Sequence, residues 1–457
     1  MEESRRKGDS MSQHDFTTGK VTKQIWLFSL PIMLTNLLQV SFQFIDSLWV
    51  GNLIGANALG AVAISGTVIF TVLSFIIGMN NAALTILSQQ KGKGNDEGLK
   101  SYLNAFVVIQ TLLSLLLGVI GFVFAKDILT LLSTPSSMIE DATLYLQINF
   151  IGIFFLFGYN FISTVLRSIG NSKTPIIYVM IAVGLNALLD PLFISMMDLG
   201  IAGAAYATIV SQGIAFLYGV YDTLNRKLVP FTLPTRPDMS EILTILKLGI
   251  PSGLQMMVIS AGVMAIMSVV NSFGADVVAG FGAAQRLDSL IMLPAMALGT
   301  AVNSMAGQNI GADKWGRVHQ IATYGVIINF LMILSISTFI YFLAKPAINL
   351  FIEEEGALQF GAKYLALIAF FYPFLGINFI LNGVVRASGA MFQVLVLNII
   401  SFWILRYPLT YFCSSLLGEN GIAIGMGVSF MVSSVIAFGY YKLGKWDEKE
   451  VLQKNET

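Results

Sequence analysis

Val165-Leu166-Arg167-Ser168-Ile169-Gly170 returns as Val384-Val385-Arg386-Ala387-Ser388-Gly389, at an offset of 219 (386 − 167). Two more marks keep that offset. Leu53-Ile54-Gly55-Ala56-Asn57 recurs as Ser272-Phe273-Gly274-Ala275-Asp276, and Ser88-Gln89-Gln90-Lys91-Gly92 as Gly307-Gln308-Asn309-Ile310-Gly311. A chain that repeats itself at this period folds as two similar units. Between the marks the sequence is apolar, with 55% hydrophobic and only 11% charged residues and a mean hydropathy of +0.75. A soluble domain carries about a quarter charged residues. Two like membrane lobes in tandem point to transport, because a site between repeats opens to either side in turn.

Apolar runs of roughly 20 residues or more, each long enough to cross a bilayer as a helix, fill the chain. They cover 25–51, 58–88, 101–125, 138–166, 174–197, 200–222, 242–271, 277–307, 318–344, 359–385, 391–415 and 420–442. A β-barrel would instead show alternating strands of about ten residues. The expected fold is therefore an all-α polytopic membrane protein, with twelve transmembrane helices in two six-helix lobes. A cytoplasmic N-terminal segment (1–24) precedes the first lobe (25–222). A Pro-containing cytoplasmic linker (223–240) joins it to the second lobe (241–442), and a cytoplasmic tail (443–457) follows. Met1 and Met11 both remain open as the native start.

Lysine and arginine set the orientation. With the N-terminus inside, 21 of the 26 fall in cytoplasmic segments, and only Lys126, Lys345 and Lys363 fall outside. Both termini are thus expected in the cytoplasm and the protein in the inner (plasma) membrane. The apolar run after residue 25 is too long for a cleavable signal. The single Cys413 excludes an internal disulfide framework. No basic, aromatic-interleaved patch suggests nucleic acid. No nucleophile–base or metal set suggests an enzyme, since His14 and His319 are both at cytoplasmic positions. No filter-like re-entrant loop suggests a channel.

Acids deep in apolar helices occur in the first lobe. Asn36, Gln39, Gln43 and Asp46 are spaced 3, 4 and 3 apart and share one stripe. Lipid cannot satisfy such a stripe, so it faces protein or water. Placing Asp46 within the bilayer costs about 2.5–3.5 kcal/mol on insertion scales. It lies about five residues, or roughly 8 Å, below the outer end of its helix, so an interfacial acid is a competing reading. In helix 5, Asn186 and Asp190 share a face, about 12 Å deep in the case of Asp190. Pro191 follows, and having no N–H it leaves the carbonyl of Ala187 without its helical donor. Thr208 in helix 6 lies at a similar depth. Acid, amide and free carbonyl suit a proton or a hard cation. Two carboxylates in one dehydrated pocket do not both stay charged without a counter-ion. Ordinary interhelical hydrogen bonding is the other reading of Asn186 and Thr208.

The second lobe differs. Ile266 stands against Asp46, and Gln255 in helix 7 is neutral. Arg286 and Asp288 lie in helix 8 and Arg406 in helix 11. Either Asp288 pairs with Arg406, or Arg286 and Asp288 line the cleft separately. Pro31 and Pro251 interrupt the opening helices of both lobes and give each a place to bend.

The chain resembles the multidrug and toxic compound extrusion (MATE) family, as a bacterial, DinF-like member. The resemblance covers about residues 20–442. It rests on Pro31 with Asp46-Ser47-Leu48-Trp49-Val50-Gly51, and on Asn186-Ala187-Leu188-Leu189-Asp190-Pro191-Leu192-Phe193. It rests also on Gly200-Ile201-Ala202-Gly203-Ala204-Ala205-Tyr206-Ala207-Thr208, Ala283-Ala284-Gln285-Arg286, and Ala306-Gly307-Gln308-Asn309-Ile310-Gly311-Ala312. It implies a V-shaped pair of lobes that exports lipophilic, mostly cationic drugs or toxins in exchange for H⁺ or Na⁺. No cofactor is expected, and a monomer is the expectation for the chain, whose sequence does not reveal its oligomeric state. Carried over by position, Asp46, Asn186, Asp190 and Thr208 match the first-lobe ion site, with Asn160 as a fifth member and Na⁺ at Asp46 and Asp190 as one occupant. Gln39, Gln43, Gln255, Arg286 and Asp288 are the candidates for the substrate cleft. Two positions depart from the family pattern: Phe42 replaces a tyrosine found in some members, and Gln255 replaces an acid. The second departure favours coupling through the first lobe. A flippase for lipids or lipid-linked oligosaccharides is the alternative; its strongly basic cleft is not matched, because only Arg286 and Arg406 lie deep within the spans.

Overall fold

The computed structural model describes residues 14–447. Met1, Met11 and the end of the 443–457 tail lie outside them. The described chain is helical, without a strand, and forms the twelve spans of an all-α membrane protein. The first lobe's helices are α1 (Val21–Leu53), α2 (Ala56–Lys93), α3 (Asp96–Leu131), α4 (Ile139–Ile151), α5 (Ile153–Ser168), α6 (Thr174–Pro191) and α7 (Gly200–Asn225). The second lobe's are α8 (Met239–Asn271), α9 (Ala275–Gly311), α10 (Trp315–Asn349), α11 (Glu355–Ala369), α12 (Tyr372–Ala387), α13 (Met391–Ile399), α14 (Tyr407–Leu417) and α15 (Asn420–Leu443). Ten spans are long and apolar enough alone, and the bent pairs α4–α5 and α11–α12 make the other two.

Those bends, of 51° and 54°, break runs that read as single helices in the sequence. The first falls at Gly152, where an added Cβ would lie 2.3 Å from Ile209 Cγ1, so α7 packs into the corner. The second falls just before Tyr372-Pro373. Proline offers no N–H to the carbonyl of Ala369, where α11 ends, and is tolerated in the first turn of a helix, so a new helix starts there. The fifth span of each lobe contains a π-turn, at Leu192–Met196 and Ile400–Arg406.

Two of the three repeated glycine pairs are turn residues, while Gly92 and Gly311 lie within α2 and α9. Gly55 and Gly274 have φ of 120° and 100° ahead of α2 and α9. Gly170 and Gly389 have φ of 87° and 89° after α5 and α12. Such backbone favours glycine. Close approach explains other small residues. A Cβ on Gly203 would lie 2.7 Å from the Phe193 carbonyl carbon, so α7 lies directly against the π-turn that follows Asp190.

By internal contacts the chain divides into two compact units. One holds Leu34–Leu246 with His14 and Asp15; the other holds Phe16–Met33 and the chain from Lys247 onward. The first has a core including Val50, Ile76, Leu129, Leu146 and Phe157. Its final segment is held where Asn104 and the backbone of Thr235 exchange hydrogen bonds at 3.0 and 2.9 Å. The second unit has two cores, one including Phe281, Tyr364 and Phe430, the other including Phe16, Phe28 and Trp446.

In that second unit the repeated Gln308-Asn309 mark grips the start of the chain. Gln308 Oε1 accepts from the N–H of Phe16 at 3.4 Å, and Asn309 Nδ2 donates to its carbonyl at 3.0 Å. Arg317 donates to the same carbonyl at 2.8 Å, to that of Gly19 at 2.9 Å and to that of Thr18 at 3.1 Å. Lys314 Nζ reaches the Thr17 carbonyl at 2.9 Å. The segment that leads into α1 is thus fastened by its main chain.

Candidate functional site

The polar stripe of α1 meets the bent fourth span. Gln39 Nε2 donates to Tyr159 Oη at 3.1 Å on α5. Four turns away on the same span, Tyr145 Oη donates to Asp46 Oδ2 at 3.4 Å. Asp46 is 7% exposed, and its Oδ1 has no hydrogen-bond partner among the described residues. Position 42 lacks a hydroxyl, so the phenol near Asp46 comes from a different helix.

Asn186 and Asp190 on α6 are fully buried. The amide Nδ2 donates to Asp190 Oδ1 at 3.3 Å, one turn along the helix. Asp190 Oδ2 and Asn186 Oδ1 are left without partners among the described residues. Asp190 stands within electrostatic reach of Asp46, and Tyr145 within reach of both acids. No basic side chain pairs with either acid among the described residues. Asp46, Tyr145, Asn186 and Asp190 therefore make one group in the first unit, with two acids, a phenol, an amide and three unpartnered oxygens. It can take up positive charge.

Thr208 and Asn160 turn elsewhere. The buried Thr208 hydroxyl donates to the Ala204 carbonyl at 3.1 Å, and the half-buried Asn160 amide to the Leu156 carbonyl at 2.8 Å. Both are bonds to the residue's own helix, which short polar side chains form in the absence of a nearer partner. Gln43 is exposed in its unit.

In the second unit Gln255 is buried, with its Oε1 unpartnered among the described residues. Arg286 is exposed, its guanidinium carbon 5.9 Å from the Phe351 ring centroid. Asp288 does not pair with Arg406. Tyr372 donates to its Oδ1, and Tyr364 to its Oδ2 at 3.4 Å. Arg406 lies instead against the rings of Phe402 and Phe430, at 3.7 and 4.6 Å. Aromatic faces offer a buried guanidinium partial compensation without a carboxylate.

Sequence reasoning missed the tyrosines. Stripe analysis flags acids and amides, whereas a tyrosine in an apolar helix reads as core. The repeat itself held the signal, since Tyr145 and Tyr364 are 219 apart (364 − 145) and each meets an acid.

A family model described as MatE matches residues 31–192 and again residues 251–412. A relative from Bacillus subtilis (strain 168), "Probable multidrug resistance protein YpnP", is 62% identical over 95% of this chain and 98% of its own. A second from the same strain, "Probable multidrug resistance protein YoeA", is 30% identical over 96% and 98%. Among solved structures, one described as the outward-facing conformation of a multidrug resistance MATE family transporter has a TM-score of 0.88 at 24% identity. It covers 93% of this chain and 96% of that one, and shares the fold.

Proposed function

The chain belongs to the MatE family, and from that premise we propose that it is a secondary active multidrug exporter. Lipophilic, mostly cationic compounds leave the cell in exchange for inward H⁺ or Na⁺, coupled through the acids of the first lobe in the DinF-like manner. The family is one of transporters and not of enzymes. The multidrug resistance names of its Bacillus relatives support small-molecule drugs as cargo. The bias of 21 cytoplasmic against three external lysines and arginines supports a plasma-membrane protein with both termini inside.

The observation that carries the reading is the pair of buried acids, Asp46 and Asp190, within electrostatic reach of each other and without a basic partner among the described residues. Two ionised carboxylates away from water repel each other and lack solvation. A proton or Na⁺ relieves both costs. Asn186 Oδ1 is a neutral oxygen suited to the same ion. Drug is carried while the acids are ionised, and an ion arriving from outside neutralises them as the drug leaves. Ion and drug thus favour different states of the protein, which is what exchange requires. Thr208 and Asn160 join the acids only if their side chains turn from their own helices.

The test is dye efflux from proteoliposomes with pH and Na⁺ gradients imposed separately. One gradient alone should drive efflux, and Asp46→Asn should reduce it at least about tenfold in protein that purifies folded. Undiminished efflux by Asp46→Asn at equal protein would reject coupling at this acid.

A further inference from the structure

Three of the lysines that bias the chain's orientation converge on one cavity of the first unit. It lies where α2 ends, α3 begins and α7 gives way to the linker, and has a volume of about 570 Å³. That is within the range of small-molecule sites, about 300–1,000 Å³. Lys91 reaches it from the last turn of α2, Lys100 from the second turn of α3 and Lys227 from just beyond α7. Asp96 is the one acid among the described lining residues, so the wall carries three positive charges against one negative. The three lysines make no ion pair among the described residues, with Asp96 or with any other carboxylate. Arg226, next to Lys227, is by contrast paired with Asp222 at 3.4 Å. Like charges around one cavity repel, and an anion among them removes that cost. The first turn of α3 adds the positive end of a helix dipole to the same wall.

The rest of the wall is apolar. After α7 the chain turns back and buries Leu228 and Val229, while Leu224 is exposed and Phe231 half-buried. Two bonds close that turn: Leu228 donates its N–H to the Thr223 carbonyl at 3.0 Å, and Lys227 to that of Leu224 at 3.2 Å. They leave Lys227 with a φ of 51°, a conformation that glycine adopts at lower cost. Farther on, Asn104 fastens the linker at Thr235. The linker wall is thus anchored at both ends, with ammonium groups beside apolar surface at the rim of the spans.

We propose that this cavity binds a phosphate group carried on a lipid. Lys91, Lys100 and Lys227 surround the headgroup of an anionic phospholipid, and Leu224 and Phe231 meet the start of its acyl chains. The recognised chemistry is a phosphate, of which a free ion is the other source. The apolar wall favours the lipid, as does the position at the span ends, where headgroups are concentrated. A free ion at exposed lysines competes with water and salt. Bound lipid holds the linker to the first lobe, and no covalent bond is made or broken. Assignment to the inner leaflet rests on the lysine bias. The site shares no residue with Asp46, Asn186 or Asp190, so it stands or falls independently of the first-lobe coupling.

The test uses the full-length protein, freed of lipid in an uncharged detergent. Phosphatidylglycerol, zwitterionic phosphatidylcholine and inorganic phosphate are added separately, and hydrogen exchange is read on peptides spanning 224–235. Phosphatidylglycerol should slow exchange there, and phosphatidylcholine should need at least about tenfold more to do so. K91Q, K100Q and K227Q should each raise the half-saturating concentration of phosphatidylglycerol about fivefold. K93Q, at the same helix end but outside the lining, should leave it unchanged. K227G suits the left-handed backbone, so weaker binding in that variant does not come from a lost fold. Inorganic phosphate that slows exchange as well as the lipid at equal concentration assigns the free ion and overturns the lipid. No slowing by either anion overturns the proposal. So does equal slowing by phosphatidylcholine, or slowing by phosphatidylglycerol that is unchanged in K91Q/K100Q/K227Q. Loss of efflux in D46N bears only on the first-lobe reading.

Discussion

Arg317→Ala should release the segment that leads into α1. The guanidinium donates to three main-chain carbonyls, of Phe16, Thr18 and Gly19, at 2.8 to 3.1 Å. It also donates to Gln24 Oε1 at 3.2 Å and to Asn309 Oδ1 at 3.1 Å. The bonds to Gly19 and Thr18 are exposed, so water replaces them and each contributes toward the low end of about 0.5–1.5 kcal/mol. The part-buried bond to Phe16 is charge-assisted and is worth about 1.5–3 kcal/mol. Lys314, Gln308 and Asn309 keep their own bonds to the segment, and the Phe16 ring stays buried edge-on against Phe28 at 4.7 Å. The net loss is therefore about 3 kcal/mol, or roughly a hundredfold in the opening equilibrium of residues 16–19. Hydrogen exchange read by mass spectrometry on peptides spanning 14–24, in detergent, measures that opening directly. Arg317→Lys keeps the charge but loses the planar fork, and should fall between wild type and the alanine variant. Exchange of these peptides within about threefold of wild type in Arg317→Ala would show that the apolar anchor alone holds the segment.

Two more outcomes follow from packing and charge. Gly203→Ala forces a methyl to within 2.7 Å of the Phe193 backbone and should cost about 1–3 kcal/mol, read as a lower unfolding temperature. Gly184→Ala on α6, with open space around its Cβ position, should stabilise slightly and is the control. His14 donates its backbone N–H to Gly170 at 3.1 Å, and burial, with the charge of Lys173 nearby, holds its ring below the usual histidine value of 6.5. The docked form therefore prefers neutral imidazole. Its hold should be complete above about pH 6.5 and weaken as pH falls through that value toward the lowered one, because only the released form protonates freely. Exchange of the residue-14 amide, corrected for its intrinsic pH dependence, should rise on acidification in wild type and not in His14→Gln.

The two-lobe plan, the helices and the placement of the acids on them are legible in the chain alone. Those properties are periodic or local. Apolar runs of span length, glycines where the backbone turns left-handed, and a stripe at spacings of 3 and 4 all lie within one helix or repeat at 219. The bends at Gly152 and before Tyr372-Pro373 were local too, but their signals, a tight corner and one proline, are weak beside a continuous apolar run. The partners depend on how the helices pack together. Asp46 meets Tyr145 across 99 positions, and Asp190 comes within electrostatic reach of Asp46 from another helix. Asp288 meets two tyrosines while Arg406 goes to phenylalanine rings. Periodicity specifies which face of a helix a side chain occupies. Which residue a hundred positions away reaches that face depends on helix bends and on close approaches such as that at Gly203, and these are set by packing among several helices at once.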